Sequence, residues 1–284
     1  MGSNPIGELR RTWETAAPGW AHWEERFSAG LSQATEELLD MAEVRPGMRV
    51  LDVACGAGSQ TLRAALRVGP TGQVLATDIA ATMLAHLREN AERAGLSNIE
   101  TVECAAEELD PGLGPFDAAI SRLGLMLFSS PAQALVAIRK LLRRGARVAA
   151  LVFTTPAANP FMARPMQVLL RHAHKEPAGP GRLGIFALGG PGALERVMTE
   201  AGLVELRTRI IRAPLRLTSS ADALTMIQQA FGAYRAVLSD LGETEKTAAW
   251  AEVAEVLREF ETARGLETEF EFIIGAGSND SLPS

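Results

Sequence analysis

Cysteine and histidine are scarce in this chain. Its 284 residues include two cysteines, Cys55 and Cys104, and four histidines, so neither a disulfide framework nor a metal site is expected. No apolar run approaches the roughly 20 residues that a membrane span requires, and the start of the chain lacks the basic and apolar regions of a secretory signal. These absences predict a cytoplasmic protein with reduced thiols and no membrane span.

Excess positive charge is also lacking. The formal net charge is −6 and the pI is about 5.4, which argues against nucleic acid and against an anionic membrane surface as partners. The length suits one large domain with additions. A small-molecule partner is therefore expected, with monomer and homodimer both left open.

The most informative stretch present is an apolar strand pattern that ends at Asp52 and is followed by Gly56 and Gly58. About twenty residues later a second apolar run ends at Asp78. This spacing predicts a strand, a tight turn, a helix and a second strand, with a nucleotide across the carboxyl ends of the strands. The glycines let the backbone approach a ligand, and Asp78 is positioned to accept hydrogen bonds from ribose hydroxyls.

The glycine pattern does not fit a dinucleotide or a phosphate loop. A dinucleotide fingerprint needs a third glycine where this chain has Thr61, and no Gly-Lys-Ser/Thr sequence is present. The carboxylate at the strand end would repel a pyrophosphate, whereas it would attract an ammonium or sulfonium group.

The segment from Val50 to Gly58 resembles motif I of the class I S-adenosylmethionine-dependent methyltransferases, with Ala54 in place of the first glycine. The acid that ends the second strand, the helix after it, and the fourth and fifth strands also match in order and register. The resemblance covers roughly residues 10–215 and is strongest to small-molecule enzymes of the ubiquinone/menaquinone-biosynthesis type. It implies S-adenosylmethionine as cofactor and methyl transfer to a small, partly apolar molecule.

The resemblance also implies a set of residues that bind the cofactor. They are Trp20, Asp52, Ala54, Gly56, Gly58, Asp78, Ile79, Ala105, Ala106, Glu107 and Ser121. One position departs from the family, which usually has Gly-Asp-Ala-Glu after the third strand, with the Asp contacting the adenine amino group. Because Ala105 occupies that position, we expect altered adenine recognition.

The order of strand and helix patterns predicts an α/β fold with a doubly wound, mostly parallel, Rossmann-like sheet. An N-terminal helical arm covers residues 1–45, in which Trp20, Trp23, Phe27 and Leu31 share a helical face and Pro18 is expected to start the helix. The arm is interpreted as packing on the core, as a lid over the cofactor, or as both. The cofactor-binding core follows at 46–153, a proline-rich insertion or lid at 154–192, and the rest of the sheet at 193–276, with strands at 203–212 and 269–274 and a helical insertion at 219–262. A disordered tail is expected from residue 277.

The acceptor chemistry is less visible in the sequence. Methyl transfer is an in-line displacement that requires alignment and exclusion of water, and an oxygen acceptor can also require a general base. The acceptor is expected over the fourth and fifth strands, and the acceptor atom stays open among oxygen, nitrogen and carbon. The polar side chains proposed to orient it or accept its proton are Arg122, His172, His174, Tyr234 and, in the arm, His22.

Two of these candidates also have a structural interpretation: a surface position for His22 and a structural ion pair for Arg122. The Asn/Asp-Pro-Pro-aromatic motif of amide and exocyclic-amine methyltransferases is absent after the fourth strand. Two alternative functions are a protein or RNA methyltransferase and a catalytically inactive cofactor-binding or partner subunit.

Overall fold

Eight strands form one sheet in the computed structural model, which describes residues 5–176 and 184–280. In chain order they are β1 (Arg49–Val53), β2 (Gln73–Asp78), β3 (Ile99–Glu103), β4 (Phe116–Arg122), β5 (Leu142–Phe153), β6 (Val204–Leu217), β7 (Glu261–Thr262) and β8 (Gly265–Ser278). The spatial order is β3-β2-β1-β4-β5-β8-β6, and β7 pairs with β8. The predicted doubly wound, mostly parallel sheet is confirmed.

Strands β1 to β5 are parallel, and the central ones are buried along almost their whole length. Continuous apolar sequence favours such strands because helices cover both faces of a parallel sheet. The chain order reverses between β1 and β4, and ligands of open α/β sheets bind at the carboxyl ends of the strands at such a point. Asp78 and Arg122 are the last residues of β2 and β4, so both lie at this edge.

Ten helices of four residues or more flank the sheet within the described ranges. They are α1 (Pro5–Gly30), α2 (Ser32–Met41), α3 (Ser59–Val68), α4 (Ala81–Arg93), α5 (Pro131–Lys140), α6 (Pro160–His172), α7 (Ala193–Glu200), α8 (Ser220–Ala230), α9 (Gly232–Val237) and α10 (Glu243–Arg258). No helix in residues 5–176 and 184–280 combines the length and apolar character needed to cross a membrane.

The N-terminal helix differs from the prediction, because Pro18 lies inside α1 and does not start it. An interior proline costs a helix about 3 kcal/mol, but tertiary contacts hold the segment before it. The Glu14 carboxylate accepts a hydrogen bond from the Ala81 backbone N–H at 2.6 Å, and Arg10 forms an ion pair with Glu103. These contacts keep one continuous helix across the edge of the sheet.

The antiparallel strands β6 and β8 are longer than predicted. They pair from Val204 opposite Ser278 to Leu217 opposite Leu266, whereas the sequence predicted strands at 203–212 and 269–274. The outer parts alternate exposed charge with buried apolar residues such as Leu215, and cross-strand pairing with a distant segment is not visible in a local pattern.

The sequence predicted a disordered tail from residue 277, but the ordered structure extends beyond that residue. Ser278 still pairs with Arg147 of β5. The buried Asn279 side chain donates a hydrogen bond to the Leu142 carbonyl at 2.8 Å. Residues 281–284 lie outside the described part, as do residues 177–183 of the predicted insertion.

The predicted insertion at 154–192 contains a regular helix, α6, despite its proline content. Phe161 of this helix packs edge-on against Phe260, with ring centroids 5.5 Å apart, and Arg164 forms an ion pair with Glu259 at 2.5 Å. Helix α6 of the insertion is therefore attached to the segment at the end of α10.

Candidate cofactor-binding site

A cavity lies at the carboxyl ends of β1, β2 and β4, and α1 covers it. The empty space there, including space open to solvent, is about 800 Å³. Most of the lining comes from four regions: the loop after β1, the end of β2 with residues 104–107, the end of β4 with the loop after it, and one face of α1. The side chains from the last two regions are Arg122, Leu123, Leu127, Phe128, Leu9, Trp13, Trp20 and Glu24.

The loop after β1 has a left-handed backbone at the positions that the family fills with glycine. Ala54 has φ +57° and Gly56 also has φ +57°, and both line the cavity. A Cβ atom on Gly56 would lie 3.3 Å from the Trp20 indole nitrogen, so the glycine leaves room between the loop and α1. Gly58 (φ +97°) does not line the cavity; a Cβ there would overlap Leu87 of α4. Gly58 therefore serves helix packing in this chain.

Asp52 is fully buried and does not line the cavity. Its carboxylate accepts hydrogen bonds from Thr61 Oγ1 at 2.6 Å and from Gln60 Nε2 at 3.4 Å. Burial raises its pKa to about 6, against the effect of these hydrogen bonds. The carboxylate holds the turn into α3, which is one of the two roles expected for it, and its other expected role, a contact with the methionine ammonium of the cofactor, is not supported by the cavity lining.

Asp78 does line the cavity. Its Oδ2 accepts a hydrogen bond from the Gly56 backbone N–H at 2.9 Å, and its Oδ1 accepts one from the Ala80 backbone N–H at 2.9 Å. Burial raises its pKa to about 6, and the backbone hydrogen bonds oppose that change. A carboxylate has about four lone-pair sites, so Asp78 keeps capacity to accept hydroxyl hydrogens from the cavity.

Beside Asp78, the cavity is lined by Ile79, Ala105, Ala106 and Glu107. The Glu107 carboxylate accepts a hydrogen bond from the Ser130 backbone N–H at 3.0 Å, so it is anchored at the start of α5. Ala105 offers no side-chain acceptor at the position where the family usually has Asp. Hydrogen bonds to a nucleotide base at this position would therefore have to come from backbone groups.

Ser121 precedes the cavity-lining part of the loop after β4 and is itself buried below the cavity. Its Oγ has no hydrogen-bond partner within the described residues. The predicted side-chain contact of Ser121 with the cofactor is therefore not present in the cavity lining.

Arg122 lines the cavity, and its guanidinium is surrounded by hydroxyl groups. Nη1 donates to Thr35 Oγ1 at 2.9 Å, and Nη2 donates to Ser28 Oγ at 3.4 Å and to Ser59 Oγ. Burial lowers its pKa. Within the described ranges, no carboxylate lies within the 4.0 Å limit of an ion pair with it.

Glu24 was not among the residues predicted from the sequence, yet it lines the cavity and is 7% exposed. Its Oε1 accepts a hydrogen bond from the Ser59 backbone N–H at 3.0 Å, and burial raises its pKa. A signal was available, because Ala17, Trp20, Glu24 and Phe27 follow the i, i+3, i+4 spacing of one helical face. An acid within that apolar stripe indicates a buried charge with a specific task.

The three predicted catalytic histidines do not line the cavity. His22 is exposed on α1 and packs its ring edge-on against Trp23 at 5.1 Å. His172 Nε2 lies 2.8 Å from Glu252 Oε2 on α10. His174 is exposed beyond the end of α6. These positions give none of the three access to the cavity, because α6 packs on α10 and His22 points away from the core.

Tyr234 is also removed from the candidate catalytic groups. It is fully buried, its hydroxyl donates to the Met162 carbonyl at 2.8 Å, and burial raises its pKa well above the usual value. Of the predicted orienting or proton-accepting side chains, the structure places Arg122 at the cavity. Within residues 5–176 and 184–280, no cluster of histidine, cysteine and carboxylate side chains has the arrangement of a metal site.

A doubly wound sheet with an acid at the end of β2 and a glycine-bearing loop after β1 is the arrangement of a nucleotide-binding fold, and comparison with known proteins identifies it as that of a methyltransferase. Residues 50–145 match a family model described as a methyltransferase domain. The chain is 31% identical over 201 residues to nocamycin O-methyltransferase of Saccharothrix syringae, covering 66% of this chain and 70% of that protein.

A second relative is the ubiquinone/menaquinone biosynthesis C-methyltransferase of Ectopseudomonas mendocina. It is 35% identical over 140 residues, which is 49% of this chain and 54% of that protein, so the aligned part spans about half of that relative. Among solved structures, phosphoethanolamine N-methyltransferase 2 of Haemonchus contortus superimposes with a TM-score of 0.56 at 16% identity, covering 99% of this chain and 61% of that one. That likeness shows the fold.

The chain belongs to the class I S-adenosylmethionine-dependent methyltransferases. The resemblance predicted from motif I is thereby confirmed, including its similarity to the ubiquinone/menaquinone-biosynthesis enzymes.

Proposed function

We propose that this protein transfers a methyl group from S-adenosylmethionine to a small, partly apolar metabolite. The observation that carries the proposal is the position of the Asp78 carboxylate, which lines the cavity and is hydrogen-bonded to the loop of Gly56. In this arrangement, a carboxylate that can accept hydrogen bonds from ribose hydroxyls lies next to a backbone loop that a ligand can approach closely.

The residues present fit the cofactor. Because Gly56 has no Cβ, space for a ligand remains between its loop and Trp20. The Asp78 carboxylate can accept hydrogen bonds from ribose hydroxyls. The backbone of Ala105 and Ala106 would hold the adenine edge, with Ile79 against the ring. Bound S-adenosylmethionine supplies the methyl group and a sulfonium leaving group.

The protein's own contribution is alignment and exclusion of water. Helix α1 places Leu9, Trp13 and Trp20 over the cavity, and we propose that it acts as a lid as well as a packing element. Leu127 and Phe128 give the cavity an apolar wall after β4, which suits a partly apolar acceptor. Apolar walls also keep water from the sulfonium, whose reaction with water would waste the methyl group.

The relatives support a small-molecule acceptor over a protein, an RNA or a non-catalytic role. One of them is named as an O-methyltransferase of nocamycin and the other as a C-methyltransferase of quinone biosynthesis. Because their names point to different acceptor atoms, the proposal names the class of acceptor and not its atom.

Isothermal titration calorimetry tests the proposal directly. S-adenosylmethionine and S-adenosylhomocysteine should each bind with one site per chain, whereas NADH and ATP should give no specific heat. Heat with NADH or ATP, and none with either adenosyl ligand, would overturn the proposed function.

A further inference from the structure

Two buried side chains of opposite charge line the same end of the cavity without forming an ion pair. They are Glu24 of α1 and Arg122 at the end of β4, each 7% exposed. Both contact Ser59: Glu24 accepts from its backbone N–H at 3.0 Å, and Arg122 donates to its hydroxyl. The two charges therefore lie on either side of one residue at the start of α3.

A buried charge is costly unless it is paired. Within the described part of the chain, no ion pair within 4.0 Å involves Glu24 or Arg122. Serine and threonine hydroxyls solvate the guanidinium, and the backbone N–H and side chain of Ser59 solvate the carboxylate. These neutral groups satisfy hydrogen bonding, but they do not neutralise the charges. The cavity thus holds one anion and one cation that are kept apart and face a common space.

We propose that Glu24 and Arg122 bind the two charges of an α-amino acid zwitterion, namely the methionine end of the cofactor. In this arrangement the Glu24 carboxylate accepts hydrogen bonds from the α-ammonium group, and the Arg122 guanidinium donates to the α-carboxylate. The inference rests on the proposed function and assigns the residues that would hold this end of the ligand.

The other acids near the site are already engaged or displaced from this end. The Asp52 carboxylate is bound by Thr61 and Gln60 and does not line the cavity. The Asp78 carboxylate is held at the end of β2 by the backbone of Gly56 and Ala80. Glu24 is the acid that shares a contact residue with Arg122, so the two can reach neighbouring groups of one ligand.

Placing the acid on α1 has a consequence for the helix. The zwitterion would connect α1 to β4 through charge-assisted hydrogen bonds, which are stronger than neutral ones. Ligands that carry an amino acid end should therefore hold α1 over the cavity, whereas ligands without one should not.

The test compares S-adenosylhomocysteine with 5′-methylthioadenosine, which keeps the adenine and ribose but lacks the amino acid. Glu24→Gln removes the charge and keeps an oxygen that can accept from the Ser59 N–H. By calorimetry, this variant should bind S-adenosylhomocysteine about tenfold or more weakly than the parent, while its affinity for 5′-methylthioadenosine stays within about twofold. The matched control is Glu25→Gln, the same change on the exposed side of α1, which should leave both affinities unchanged.

A second measurement uses the unaltered protein, because a variant of the buried Arg122 can fail to fold. Decarboxylated S-adenosylmethionine lacks the α-carboxylate and should bind the parent about tenfold or more weakly than S-adenosylmethionine. Equal affinity for these two ligands would remove Arg122 from the proposal. If Glu24→Gln weakens the binding of S-adenosylhomocysteine and of 5′-methylthioadenosine by the same factor, Glu24 does not bind the amino acid end of the ligand. If the parent binds none of the adenosyl ligands, the proposed function itself fails.

Discussion

The Asp78 carboxylate offers the sharpest test of the proposed ribose contact. Asp78→Ala removes an acceptor that lines the cavity. Hydrogen bonds to a charged group contribute roughly 1.5–3 kcal/mol each, so two ribose hydroxyls correspond to about 3–6 kcal/mol. Because about 1.4 kcal/mol is a factor of ten, the variant should bind S-adenosylhomocysteine at least about 100-fold more weakly.

The same substitution has opposing effects on the free energy of unfolding. The backbone N–H groups of Gly56 and Ala80 lose their acceptor. If no water molecule replaces it, this costs about 1–3 kcal/mol for each group. Removing the buried charge is favourable: its pKa is about 6 in the fold against 3.8 for the unperturbed group, which corresponds to about 3 kcal/mol at neutral pH. The net change should lie between a gain of about 1 kcal/mol and a loss of about 3 kcal/mol, so the variant should fold.

A double-mutant cycle isolates the ribose contact. Calorimetry should show that 5′-methylthioadenosine binds the parent about tenfold or more tightly than its 2′-deoxy analogue, and that Asp78→Ala abolishes this difference. Urea denaturation gives the unfolding free energy of each protein. The control is Asp110→Ala, since Asp110 also accepts from a backbone N–H, that of Gly112 at 2.8 Å, but is exposed. If the deoxy analogue loses the same factor in the parent and in Asp78→Ala, the ribose is held elsewhere.

Two further predictions concern the cavity wall and the buried turn. Trp13 and Trp20 line the cavity and Trp250 does not. Trp20→Phe should therefore remove a large part of the fluorescence change on S-adenosylhomocysteine binding, whereas Trp250→Phe should keep it. An unaltered fluorescence change in Trp20→Phe would contradict the placement of α1. The pKa of Asp52 is about 6 in the fold against 3.8 for the unperturbed group, so its stabilising contribution is full below pH 3.8 and is lost as pH rises through 6. The whole loss is about 3 kcal/mol, and roughly 1.3 kcal/mol of it should occur between pH 5 and pH 7. Over that window the unfolding free energy in urea should therefore fall more steeply for the parent than for Asp52→Asn by about that amount; parallel profiles would refute this.

The parts of the fold that depend on local sequence could be predicted. The apolar runs that end at Asp52 and Asp78, with Gly56 between them, specify strand, turn, helix and strand within about thirty residues. A right-handed crossover then brings the ends of β1 and β2 to one edge, so the placement of Asp78 beside the Gly56 loop follows from chain connectivity. The family resemblance rests on the same local segments, which is why it could be stated from the sequence.

Contacts between distant segments were decided by the tertiary structure alone. Glu24 and Arg122 are remote in the chain, and Glu24 reaches the cavity because α1 crosses the carboxyl edge of the sheet. Tyr234 and His172 were plausible bases by position in the chain, but they are hydrogen-bonded away from the cavity, to Met162 and Glu252.

The sequence by itself thus determined the central strands, the glycine-bearing loop and the cavity-lining acid at the end of β2, because short-range periodicity and backbone geometry act within a few tens of residues. Only the tertiary structure decided which helical faces meet over the cavity and how far β6 and β8 extend. Those outcomes depend on burial and pairing between segments that are remote in the chain, and no local pattern encodes which remote partner a side chain will find.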